Sequence, residues 1–160
     1  MVSVRLILLF TASLMAGCMV TPLKEDDPER SLNWCPPLPN CVSTESATFF
    51  HSIQPFELIM DYEQAWPLVH DAVSALPGTS IEHEYPGYLY AKSYSRVFHF
   101  LDYFEVLLDN EHKTLIVRSS SLLGVTDFFA NYLRTARFRT ELETKGVIKT
   151  NGQGPTPSST

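Results

Sequence analysis

The sequence predicts an α+β fold, an antiparallel sheet of about five strands with two helices packed on one face. Three observations carry that reading. Two stretches, near residues 61–76 and 127–145, repeat apolar residues at helical spacing. Between them several β-rich segments follow one another across turns too short for a parallel crossover, so the strands must run antiparallel. One more strand-like stretch precedes the first helix, which makes the order strand, helix, several strands, helix.

In chain order, one domain is expected over residues 33–148, opening near Asn33-Trp34. Thr48-Phe49-Phe50-His51-Ser52-Ile53 combines β-branched and aromatic residues and stops before Pro55, as a first strand should, with His51 half-exposed in it. For the first helix, Asp61 and Gln64 have capping-box spacing, and Ala65, Trp66, Val69, Ala72, Val73 and Leu76 recur on one face. Pro67 lacks the N–H of a helix interior, so the regular helix either starts near Trp66 with Pro67 in its first turn or kinks there. Leu76-Pro77-Gly78 ends it. Residues 79–84 and 88–93 make a hairpin across Tyr85-Pro86-Gly87. Residues 97–108 alternate in two pieces, with Phe98 and Phe100 before Asp102 and Phe104, Val106 and Leu108 after it. Asp109-Asn110-Glu111-His112 then turns the chain into a strand over residues 113–119. The last helix is expected over residues 127–145, with Phe128, Phe129, Tyr132, Leu133, Ala136 and Leu142 as its apolar stripe, Asp127 as cap and Gly146 as stop.

Residues 1–17 have the anatomy of a removed export signal: Arg5, an apolar core from Leu6 to Leu14, then small residues at Ala16 and Gly17. The apolar run is shorter than the roughly 20 residues that a bilayer span requires. Leu14-Met15-Ala16-Gly17-Cys18 resembles the lipobox of bacterial lipoproteins. That resemblance implies a diacylglyceryl thioether and an acylated amine on Cys18; the plainer alternative is an ordinary secretory signal cut near Ala16, with Cys18 a simple thiol. More than one acyl chain is what stable anchoring takes. Met19, not Asp, follows the cysteine, which by the same resemblance implies sorting to the outer membrane, facing the periplasm. Residues 18–32, with the charge run Lys24-Glu25-Asp26-Asp27-Pro28-Glu29-Arg30, then form a tether, and residues 149–160 a disordered tail.

Removing the signal takes away one cation and no acid, leaving 11 Lys+Arg against 18 Asp+Glu and a net charge of −7. Scattered cations on an acidic domain exclude the electrostatic footprint of nucleic-acid binding. Cys35 and Cys41 flank Pro36-Pro37-Leu38-Pro39-Asn40, and in an oxidising compartment this pair reads as a disulfide closing a small stiff loop. Two thiols at that spacing fit neither a metal site nor a CxxC redox motif. His51, His70, His83, His99 and His112 are scattered without ligand spacing, and no P-loop, dinucleotide glycine pattern or nucleophile elbow occurs. No metal, cofactor or catalytic residue is therefore expected.

Cys35-Pro36-Pro37-Leu38-Pro39-Asn40-Cys41-Val42-Ser43 and Arg118-Ser119-Ser120-Ser121-Leu122-Leu123-Gly124-Val125-Thr126-Asp127, followed by Asn131 and Arg134, resemble domain of unknown function 1499. Many members of this bacterial family look like exported lipoproteins. The likeness runs roughly from Trp34 to Glu143. Where the family pattern carries a basic residue, in Ser-Arg-x-Gly, this chain has Leu122, and where it carries paired acids this chain has Asp102-Tyr103. A charged family site would be present here in reduced form.

The polar constellation of that resemblance, Arg118, Ser119, Ser121, Asp127, Asn131 and Arg134, is the candidate ligand site. A strand leads through Gly124 into a helix start, whose free N–H groups and neighbouring guanidiniums suit a phosphate, carboxylate or lipid headgroup. The competing reading is structural: Asp127 caps its helix and pairs with an arginine, and the serines satisfy a turn. For function the chain reads as a membrane-anchored, non-enzymatic binding or protein-interaction module with an envelope partner, its contact patch expected at Tyr85, Tyr88, Tyr90 and Tyr94. A small anion binder using the arginine cluster is the alternative, and an unrecognised hydrolase a third. If Cys18 is the anchor, Cys18→Ser moves the chain from the membrane pellet to the soluble fraction. Firm retention of that variant would show that the chain is held some other way.

Overall fold

The computed structural model describes residues 32, 35–94, 100–122 and 129–150. Their order is β1 (Cys41–Ser43), β2 (Phe56–Glu57), α1 (Tyr62–Ser74), β3 (Thr79–Tyr85), β4 (Tyr88–Tyr94), β5 (Leu101–Asp109), β6 (Thr114–Ser121) and α2 (Ala130–Thr144). The expected signal, Cys18, Asp127, Phe98 and most of the tether and tail lie outside the described residues.

The long strands pair antiparallel in the order β1-β6-β5-β4-β3, with tight turns at residues 86–87 and 110–113. β2 shares the β6 edge with β1: Val42 lies across from Ser119 and Phe56 across from Leu115. This is the expected α+β architecture, with the fifth strand position filled by two short pieces. Alternation sends Leu89, Ala91, Phe104, Val106, Leu115 and Val117 to one face, where both helices cover them. α1 contributes Ala65, Val69, Ala72 and Val73, and α2 contributes Phe138 and Leu142. Phe138 sits between Phe56 and Phe104, with ring centroids at 5.6 and 5.2 Å.

The expected first strand at Thr48–Ile53 is not one. Its backbone closes a turn, with the His51 N–H donating to Thr48 O at 2.9 Å, and only Ser52 makes an isolated bridge to Ser43. The β6 edge is taken instead by residues on either side of that turn, and Phe49 and Phe50 project into solvent. His51 is buried, its Nδ1 at 2.8 Å from Cys41 O. Cys35 and Cys41 form the expected disulfide, with Cα atoms 5.6 Å apart.

α1 starts at Tyr62 and runs through Pro67. Asp61 occupies the cap position in extended conformation and makes no side-chain cap bond; the Gln64 and Ala65 N–H groups donate to its carbonyl. Past the helix end, Gly78 takes φ +68°, and a Cβ there would lie 2.6 Å from Tyr94 O, so glycine is required twice over. At the end of α2 the Gly146 N–H donates to Glu143 O and the Val147 N–H to Leu142 O, the paired bonds of a Schellman stop.

The opposite sheet face carries Tyr88, Tyr90, Tyr103 and Leu107, all buried together with Leu32. Leu32, the last residue of the expected tether, is held by Ser43 Oγ, which donates to its carbonyl at 2.7 Å. The expected patch of exposed tyrosines is thus corrected: Tyr88 and Tyr90 alternate inward on β4, and of the four only Tyr94 is exposed. Burial, followed by the proximity of Tyr103 and Glu105, pushes the Tyr90 hydroxyl pKa well above its ordinary value. Among the described residues no helix is long and apolar enough to cross a membrane.

Phe138 closes the contact between α2 and the sheet. Phe138→Ala should cost about 3–5 kcal/mol in denaturant unfolding. A loss below about 1 kcal/mol would mean that α2 is not seated as described.

Candidate functional site

Neighbouring strand residues face opposite sides of a sheet, so Arg118 and Ser119 cannot belong to one site on β6. The sheet divides the sequence-predicted constellation. Arg118 lies on the tyrosine face, where the β5–β6 register sets it across from Glu105. Its Nε and Nη2 donate to Glu105 Oε2 at 2.9 and 2.5 Å, and Tyr88 OH donates to Glu105 Oε1 at 2.8 Å. Arg118 and Glu105 are both buried. Two charges withdrawn from water in this way persist only because each satisfies the other.

Ser119, Ser121, Asn131 and Arg134 do come together, on the helix side. Ser119 Oγ donates to Asn131 Oδ1 at 2.6 Å, and Asn131 Nδ2 donates to Ser121 Oγ at 3.0 Å and Asn40 O at 2.9 Å. Arg134 Nη1 reaches Asn131 Oδ1 at 2.7 Å and Ser119 Oγ at 2.9 Å. Its Nη2 donates to Asp102 Oδ2 at 2.5 Å. Asp102, which the sequence reading noted only as a departure from the family's paired acids, is therefore the partner of Arg134. Asp127 lies outside the described residues, and the position before Ala130 is Phe129 at φ +68°, with no side-chain cap bond.

These bonds tie the polar groups of the network to one another. Ser119 gives its proton to an amide oxygen and not to a base, so it lacks the activation a nucleophile needs. The two guanidiniums direct these donors to protein acceptors, leaving them less to offer an anion. No group of His, Cys, Asp or Glu that could hold a metal occurs among the described residues.

An open feature lies beside it. Phe49, Phe50 and Phe129 are 88, 82 and 76 % exposed, and with Tyr132, Pro39, Cys41, Val42 and Ser52 they surround a groove of ≈ 490 Å³ with no charged residue in its lining among the described residues. Three such rings gathered in one place are unlike the single exposed apolar residues of an ordinary surface. The turn at residues 48–51 supplies one wall and the start of α2 the other.

The apolar stripe expected for α2 is corrected here. The helix buries Asn131, Thr135, Phe138 and Leu142, and leaves Phe129, Tyr132 and Leu133 exposed. The readable signal was crowding: Phe128-Phe129-Ala130-Asn131-Tyr132-Leu133 holds more large apolar residues than one helix face accommodates. Asn131, Thr135, Phe138 and Leu142 already have the i, i+4, i+7, i+11 spacing of a single face.

A family model described as "Protein of unknown function (DUF1499)" matches residues 31–142. No curated protein and no solved structure matches the chain.

The ion pair gives a direct test of the structural assignment. Arg118→Met strands the Glu105 carboxylate and should cost about 3–5 kcal/mol, most of it recovered when Glu105→Gln is added. Equilibrium unfolding of the two single variants and the double variant reads this. A single-variant loss under about 0.5 kcal/mol would place the pair in water.

Proposed function

The chain belongs to the DUF1499 family of proteins of unknown function, and from that premise we propose that it is a membrane-anchored envelope lipoprotein whose domain is a non-enzymatic binding module. Its contact surface is the groove between Phe49, Phe50, Phe129 and Tyr132. One observation carries the reading: three phenylalanines more than three-quarters exposed around a groove whose described lining holds no charged residue, on a chain whose net charge is −6. Exposed aromatic rings with few rotatable bonds are the residues that anchor interfaces. The lipobox-like Leu14-Met15-Ala16-Gly17-Cys18 supports anchoring, and the Cys35–Cys41 disulfide supports an oxidising compartment.

Phe129 sharpens this. A left-handed backbone costs a residue with a Cβ about 1–2 kcal/mol, and glycine would relieve it. The Phe129 side chain is about three-quarters exposed, so Phe129→Gly separates the backbone cost from the part the ring plays in the groove.

Phe50→Ser combined with Phe129→Gly should leave the unfolding free energy within about 1 kcal/mol of wild type, or raise it. The same pair should abolish adducts formed in whole envelopes by a photocrosslinker placed at Tyr132. If the pair unfolds the domain by several kcal/mol, the rings are packing residues and the reading fails.

A further inference from the structure

We propose that the groove docks on the hydrocarbon–headgroup boundary of a phospholipid bilayer, so that the domain lies against the membrane that holds its lipid. The proposal rests on the anchored-module reading above and names the occupant of its surface. Among the described residues the lining offers little to hydrogen-bond: Ser52 and the Tyr132 hydroxyl are its polar side-chain groups, and none of these residues is charged. A protein partner brings a polar rim and about one hydrogen bond per 100–200 Å² of interface. Lipid tails bring none and penalise every unpaired polar group that enters them. The rings that line the groove are also largely exposed, so they are accessible to an apolar phase laid against them. Tyr132, with an apolar ring and a polar tip, suits the headgroup level.

The chain path agrees with this placement. Pro39 and Cys41 of the disulfide-closed loop form part of the groove wall, and Val42 of β1 continues it. Leu32, bonded to Ser43 and Glu45, marks where the chain from Cys18 reaches β1. The 14 residues from Cys18 to Leu32 span at most about 50 Å when extended. A domain tethered so closely meets the bilayer at high effective concentration, and a modest intrinsic affinity then suffices. A net charge of −7 after removal of the signal gives no attraction to anionic lipid, so the docking is apolar and insensitive to salt.

The test places tryptophan in the groove. Phe50→Trp and Phe129→Trp, with Glu111→Trp in the β5–β6 turn as control, are made in the lipidated full chain and in the chain carrying Cys18→Ser. Both sets are mixed with phosphatidylethanolamine–phosphatidylglycerol vesicles whose acyl chains are brominated, and emission is read against that of Trp34 and Trp66. Groove tryptophans should shift to the blue and lose about half their intensity or more, with the control unchanged. Phe49→Ser with Phe50→Ser should lower vesicle partitioning of the Cys18→Ser chain about tenfold or more, and molar salt should leave it intact. Absence of quenching in the lipidated chain, while that chain still sediments with vesicles, overturns the docking and leaves the anchor standing. Release by salt, or a Tyr132 photoadduct to a protein in place of lipid, also overturns it. Firm membrane retention of the Cys18→Ser chain after both phenylalanines are removed overturns the anchored-module reading instead.

Discussion

The roll of α2 about its axis is set by one buried amide. Asn131 is fully buried, and its carbonyl and amino groups are satisfied by Ser119, Ser121, Arg134 and the Asn40 backbone. Leaving such a group unbonded in the interior costs about 1–3 kcal/mol, comparable to what a single exposed phenylalanine gains by burial. Turning the helix to bury Phe129 would expose or orphan Asn131 and also withdraw Thr135 from the sheet. The polar bracket prevails, and the first turn of α2 presents its rings to solvent.

The same logic holds the strands in register. Glu105 and Arg118 face each other across β5 and β6, with the Tyr88 hydroxyl on β4 donating to the other carboxylate oxygen of Glu105. A one-residue slip of either strand would carry its charge to the side where Phe104 and Val117 meet the helices and leave the other unpaired, at a prohibitive desolvation cost. The pair adds little net stability over an apolar substitute. Its effect is to exclude the wrong pairing.

Two ion pairs, Glu105 with Arg118 and Asp102 with Arg134, are thus turned inward, one on each side of the sheet. Beside β1 the exposed side chains include the rings of Phe49 and Phe50.

The order of elements, the antiparallel sheet and the two helices on one face were legible in the sequence because they follow from local periodicity and turn residues. The Gly146 stop was legible for the same reason, and the Cys35–Cys41 bridge from spacing and an expected oxidising compartment. Tertiary structure alone decided which side each polar residue serves. Arg118 and Ser119 are adjacent in sequence yet separated by the thickness of the sheet, and Asp102 finds Arg134 only through the β5–β6 register. The strand expected at residues 48–53 gave way to a turn because the β6 edge was occupied by its flanks. Periodicity records how much apolar surface a segment carries, but which part of it is buried depends on neighbours distant in the chain, and here a buried asparagine outweighed the phenylalanines beside it.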